Sequence, residues 1–222
     1  MATPEFTIDQ YLQQSTFGDD PFGGFVQRSR DAGLPEIQVS VVFGRALELF
    51  TRLTNARLVI EVGTLGGYSA AWMARALPED GRVITLEIDP HHAEVARANL
   101  ASVALDHKVD VRVGPALDTL LELRHDPLVA GHMDFAFIDA DKSNNPNYVA
   151  QVVELARPGA LIIVDNVVRS GTVLDADSND PNTVGTRAVL AMLGSNPRLS
   201  ATALQTVGLK GHDGFAMAFV NH

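Results

Sequence analysis

The sequence predicts an α/β chain with a mostly parallel sheet covered by helices on both faces. Three observations predict it. Short apolar runs alternate with stretches of helical periodicity from residue 41 onward. Most of those runs are apolar at nearly every position, as strands buried on both faces must be. The first of them, Leu58-Val59-Ile60-Glu61-Val62, leads directly into the glycine-rich turn Gly63-Thr64-Leu65-Gly66-Gly67 and then into a helical stretch.

Taken in order, residues 1–39 form a head of short helical stretches broken by the turn-rich Phe17-Gly18-Asp19-Asp20-Pro21-Phe22-Gly23-Gly24. The head lacks a core of its own and must pack on the rest of the chain or on a second subunit. Residues 41–53 place Val42, Ala46, Leu49, Phe50 and Leu53 at helical spacing. After the first strand, 68–77 reads as a helix closed by Pro78-Glu79-Asp80-Gly81, and 82–87 as the second strand. Pro90 opens a helix running to about 103. Strands follow at 109–113, 135–138 and 160–164, with helices at 116–124 and 148–156 between them. A polar loop spans 170–181 and a helix 183–193. Residues 199–204 and 214–220 form a closing antiparallel pair, with Asp213-Gly214 as a tight turn before the last strand. The length of 222 residues suits one domain, 1–222, made of the head (1–39) and an α/β core (40–222).

Composition excludes several chemistries. There is no cysteine, so disulfides, zinc–thiolate sites and thiol catalysis are out; a reducing, cytoplasmic setting fits this. Seventeen basic against 27 acidic residues give a net charge of −10, which argues against a nucleic-acid partner. No apolar run reaches the roughly 18–20 residues of a membrane helix. Met1-Ala2-Thr3-Pro4-Glu5-Phe6 has neither the basic nor the apolar region of a signal peptide.

Ligands of parallel sheets bind beyond the carboxyl ends of the strands. After the first strand, G-x-x-G-G replaces the G-x-G-x-x-G of a dinucleotide site, and Glu61 stands where a pyrophosphate would be repelled. The turn suits an adenosine ligand that also carries positive charge, or simply a tight connection. Glu87, 20 residues beyond Gly67, is placed to accept ribose hydroxyls, or is a surface carboxylate. Gly114-Pro115-Ala116-Leu117 leaves room for a flat ring. Asp139, Asp165 and Asn166 end two further strands. Oxygen ligands without His or Cys suit a hard cation, and helix capping is the alternative. Lys142 beside them is a candidate general base. The adjacent His91-His92 pair at a helix start reads as surface.

Together, the stretch 61–69, Leu77-Pro78-Glu79-Asp80-Gly81, Gly114-Pro115-Ala116-Leu117, Phe137-Ile138-Asp139-Ala140-Asp141-Lys142 and Val164-Asp165-Asn166-Val167 resemble the cation-dependent S-adenosylmethionine O-methyltransferases of the caffeoyl-CoA and catechol type, bacterial members above all, over 34–222. The resemblance implies a Rossmann-like fold with seven strands and an antiparallel last strand. It implies S-adenosylmethionine held by Val39, Glu61, Gly63, Thr64, Ser69, Glu87, Ala116, Asp139 and Asp141. It further implies Asp139, Asp165 and Asn166 as ligands of a divalent cation (Mg²⁺, with Ca²⁺ or Mn²⁺ as alternatives), and Lys142 and Asp139 as the catalytic pair. The acceptor would be an aromatic hydroxyl of a catechol-like or vicinal-diol molecule, and the assembly a homodimer. Ser40-Val41-Val42-Phe43-Gly44 and Val167-Val168-Arg169-Ser170-Gly171 depart from the family pattern, and no plant-type N-terminal arm is recognisable in 1–33. An NAD-dependent oxidoreductase and a non-catalytic partner subunit are the competing readings. The first lacks its fingerprint and a Tyr-x-x-x-Lys, and the second would have lost site positions that are present here.

Overall fold

The computed structural model describes residues 7–222. The part of the predicted head before Thr7 lies outside the described residues. The elements are α1 (Ile8–Thr16), α2 (Gly23–Asp31), α3 (Val41–Leu53), β1 (Leu58–Val62), α4 (Tyr68–Ala76), β2 (Arg82–Glu87), α5 (Pro90–Ala101), β3 (Val109–Val113), α6 (Ala116–Leu123), β4 (Met133–Ile138), α7 (Asn145–Leu155), β5 (Ala156–Asp165), α8 (Pro181–Ser195), β6 (Leu199–Gly208) and β7 (Gly211–Val220). They build a seven-stranded sheet in the order β3-β2-β1-β4-β5-β7-β6. The pairs among β1 to β5 are parallel, while β7 runs antiparallel to both β5 and β6. This is the Rossmann-like methyltransferase architecture that the sequence predicts.

Both faces are covered, which explains the unbroken apolar strands. Val59, Phe135, Phe137 and Ile163 pack with Leu47, Met73 and Trp72 on one face. Ile60, Val62, Ala136, Ile138 and Val164 pack with Val149, Val152 and Val189 on the other. Strand order reverses at β1, so the crevice between the ends of β1 and β4 is where a ligand enters such a sheet.

The head docks onto this crevice rather than standing free. Phe22 and Phe25 are almost fully buried, packing with each other and, through Phe22, against Tyr68 and Trp72; each contributes about 2 kcal/mol from area alone. Arg28 on α2 donates to Asn99 Oδ1 (2.7 Å) on α5 and to Ser102 Oγ (2.8 Å) at its C-cap, and Asn99 Nδ2 donates to the Gly66 carbonyl (2.8 Å). The head is thereby tied to the glycine turn.

Three expectations are corrected. Helix α7 begins at Asn145, three residues early, because Pro146 fits the first helical turn. The closing hairpin is longer than predicted and pairs continuously through Gly208↔Gly211. Asp213-Gly214 is therefore inside β7 and not a turn. Gly211, with φ 92°, takes the positive-φ position near the hairpin tip instead.

Candidate active site

Every parallel strand ends toward one cavity of about 580 Å³, walled by the glycine turn, the carboxyl ends of the strands and the head. That volume suits a small-molecule ligand. Gly63 has φ 101°, and a Cβ there would lie 2.5 Å from the Asp139 carbonyl oxygen. Only glycine lets the β1 turn pass this close to the end of β4. At Gly114, with φ 141°, a Cβ would meet no atom within 4 Å, so the backbone there borders open space.

Of the predicted residues, Val39, Gly63, Thr64, Ser69, Glu87, Ala116, Asp139, Asp141, Lys142 and Asn166 line this cavity. Glu61 and Asp165 are not on its wall. Glu61 is fully buried, accepting from Ser69 Oγ and Thr85 Oγ1, both at 2.6 Å. Burial pushes its carboxyl up to about 8 against the pull of those two hydroxyls. Glu61 is thus linked to the cavity wall through Ser69.

Glu87 is held by the turn. Its Oε2 accepts from the backbone N–H groups of Thr64 (3.2 Å) and Leu65 (2.8 Å), and its Oε1 from Asp89 (3.0 Å). His92 Nδ1 lies 3.7 Å from the same Oε1, and His92 lines the cavity. Reading this histidine as plain surface is corrected: helix α5 starts beside the mouth and turns the ring inward. Adjacency in sequence gave no sign of that, since neighbours on a helix face different directions.

Beyond β4, Lys142 is buried and donates from Nζ to Asp139 Oδ1 at 2.8 Å. Asp141 accepts from Tyr148 Oη (2.6 Å), Ser143 Oγ (2.9 Å) and Asn144 Nδ2 (2.6 Å). Burial raises its carboxyl, but these three donors outweigh it and leave it below the usual range. Neither Asp139 nor Asp165 caps a helix; the residue at the N-cap of α7 is Asn144. Asp165 is pushed well up by burial and by repulsion from Asp139, with Lys142 and the Asn166 N–H opposing. Asn166 has φ 58°, an uncommon conformation that Asn tolerates. Among the described residues no three His, Cys, Asp or Glu side chains gather as a metal cluster. The predicted set has two carboxylates and a carboxamide.

A family model described as O-methyltransferase matches residues 24–218. The chain belongs to that O-methyltransferase family. It is 49% identical over 214 residues to the catechol O-methyltransferase of Mycobacterium tuberculosis, covering 96% of this chain and 94% of that protein. An O-methyltransferase of Bacillus cereus, solved with S-adenosylhomocysteine, superposes with TM-score 0.93 at 46% identity, covering 96% and 97% of the two chains. One of Streptomyces achromogenes, solved with S-adenosylmethionine, does so with TM-score 0.92 at 41% identity, covering 97% and 96%. The chain is an S-adenosylmethionine-dependent O-methyltransferase.

Asp213, given to a turn by its sequence, belongs near this site. Its Oδ1 accepts from the N–H groups of Val168 (3.1 Å), Arg169 (2.9 Å) and Gly214 (2.9 Å). It pins the segment after β5 in which Arg169, Ser170 and Gly171 all have positive φ. Val168 and Arg169 are over 40 residues away in sequence, so no local pattern announces them.

Proposed function

We propose that this methyltransferase alkylates one hydroxyl of a vicinal aromatic diol with the help of a divalent cation. The observation that carries the reading is that Asp139, Lys142 and Asn166 share a wall with the glycine turn. The charge-bearing half of the cavity thus adjoins the half suited to the adenosine ligand. The name of the Mycobacterium tuberculosis relative supports the acceptor class.

Val39, Gly63, Thr64 and Ala116 would cradle the methyl donor, with Glu87 positioned for its ribose. Glu61 supports Ser69 from behind, and Asp141 lies toward the amino-acid end. The donor supplies an electrophilic methyl group on a sulfonium. Asp139, Asp165 and Asn166 fit a hard cation by their chemistry, and the strain of two neighbouring carboxylates is what a cation relieves. Such an ion, when bound, orients the diol and acidifies one hydroxyl. Lys142, once it has given its own proton to solvent, takes up the proton of the attacking hydroxyl at Nζ, and Asp139 at 2.8 Å holds the ammonium so restored. Tyr148 and Val39 help exclude water from the face they line.

Residues 1–222 are read as one domain working as a homodimer in the cytoplasm. Exposed Ile8, Tyr11 and Leu12 on α1 and Leu49 and Leu53 on α3 support the dimer; a monomeric mass by light scattering refutes it. The test of function is methylation of catechol with and without Mg²⁺ or chelator. Chelation and Asp139→Ala should each remove most turnover. In Asp165→Ala, S-adenosylmethionine affinity by calorimetry should be nearly unchanged. Undiminished turnover in chelator overturns the cation.

A further inference from the structure

Resting on the diol-acceptor reading above, we infer that Arg169 selects acceptors that carry a carboxylate on or next to the aromatic ring. Arg169 lies on the boundary between the main cavity and a second cavity of about 430 Å³ under α8. Its Nε is buried and has no hydrogen-bond partner. It enters none of the salt bridges among the described residues.

The acidic groups nearby each give one oxygen to other donors, and although the Arg169 charge is felt by Asp180, none of them forms an ion pair with the guanidinium. Asp213 Oδ1 serves three backbone N–H groups. Asp180 Oδ2 caps α8 through Thr183 N (2.9 Å) and Thr183 Oγ1 (2.8 Å). Asp175 Oδ1 accepts from Asp177 N at 3.1 Å. In the main cavity, Asp139 is paired with Lys142 and Glu87 is held by the turn. A guanidinium with an unmet, desolvated N–H is costly unless a ligand meets it. Its planar fork matches a carboxylate in two parallel hydrogen bonds. The backbone that presents it is fixed: Arg169 has φ 52° and its N–H is held by Asp213. Arg169 also shares the wall with Asn166, on the side away from Gly114 and Ala116, so the carboxylate would lie at the acceptor end.

The test compares 3,4-dihydroxybenzoate with its uncharged amide, 3,4-dihydroxybenzamide, on the full-length enzyme. The acid should be favoured in kcat/KM by roughly tenfold to hundredfold, as a charge-assisted pair allows. Arg169→Gln should erase that preference through the KM of the acid. Turnover of the amide and S-adenosylmethionine affinity should stay unchanged, and Arg169→Lys should restore part of the preference. Equal kcat/KM for acid and amide in the unaltered enzyme overturns the inference without need of a variant. So does Arg169→Gln weakening both acceptors alike, or weakening cofactor binding. Methylation of neither diol while S-adenosylmethionine binds overturns the diol reading itself, and this inference with it.

Discussion

Replacing Gly185 by alanine probes how closely α8 must approach the turn that carries Lys142. Gly185 sits inside α8, where alanine is the better helix former by about 1 kcal/mol. Propensity alone therefore predicts stabilisation. The packing predicts the opposite. A Cβ at Gly185 would lie 2.3 Å from the Lys142 carbonyl oxygen, 2.7 Å from Ser143 Cα and 2.9 Å from the Lys142 carbonyl carbon. All three are backbone atoms, so no side chain can swing aside. Relief requires a separation of about 1 Å, since unstrained contacts to carbon lie near 3.5 Å. Overpacking of this kind costs roughly 1–3 kcal/mol, and rigid neighbours favour the upper end. The net loss after the propensity gain is about 1–2 kcal/mol, or roughly 2–8 °C in Tm for a chain of this size. Moving the Lys142 backbone by about 1 Å should cost up to about 100-fold in methyl transfer. S-adenosylmethionine affinity should change less, since most of the proposed donor contacts lie on the β1 side. Gly194→Ala is the control: it lies in the same helix with nothing within 4 Å of a Cβ. It should raise stability by up to about 1 kcal/mol. Calorimetric Tm values for the two variants decide the matter. Equal shifts, or a Gly185→Ala enzyme of full activity, would refute the reasoning.

Glu61 predicts a pH dependence of folding. Its carboxyl is raised from 4.5 to about 8 in the folded chain, so the folded state keeps a proton that the unfolded state gives up. Its contribution is present below about pH 4.5 and is lost as pH rises through 8. Urea unfolding at pH 5 and pH 9 should show the unaltered chain losing more stability over that interval than Glu61→Gln. Parallel losses would remove Glu61 as the cause. Asn99→Ala should cost about 1–2 kcal/mol, because it strands the buried Gly66 carbonyl and removes one of the two partners of the exposed Arg28 guanidinium. Thermal unfolding should drop by roughly 2–8 °C with weaker S-adenosylmethionine binding, and an unchanged Tm would mean that the head is not held through this residue.

Strands β1, β2 and β3 and helix α3 were legible to the residue. Each is bounded by a local signal, such as Gly63 after Val62, Gly81 before Arg82 or Ser40 capping α3 through Phe43 N. The crevice followed from strand alternation, because ligand position in a parallel sheet is a topological consequence. What stayed hidden depends on distant partners. Asp213-Gly214 carries a strong turn signal, yet ten paired residues of β6 and β7 and three N–H groups awaiting a carboxylate override it. Gly185 reads as a mere weakness in a helix until the turn at Lys142 is seen against it. His92 faces the cavity only because α5 begins at its mouth.

The acidic rim of the sheet shows why a protein of net charge −10 can gather this many carboxylates at one edge. Each has its own means of neutralisation. Glu61 keeps its proton between two hydroxyls. Glu87 leans on three backbone N–H groups. Asp139 has Lys142, and Asp141 has a phenol, a hydroxyl and an amide. Asp165 is the exception: burial and Asp139 both push it up, and only a shared lysine and one N–H answer them. Two carboxylates drawing on one ammonium are one positive charge short. That deficit, more than any count of ligands, is the physical ground for the proposed cation. On the proposed function it would also order the site along the rim, with the unsatisfied carboxylate beside Asn166, where the acceptor oxygens would sit.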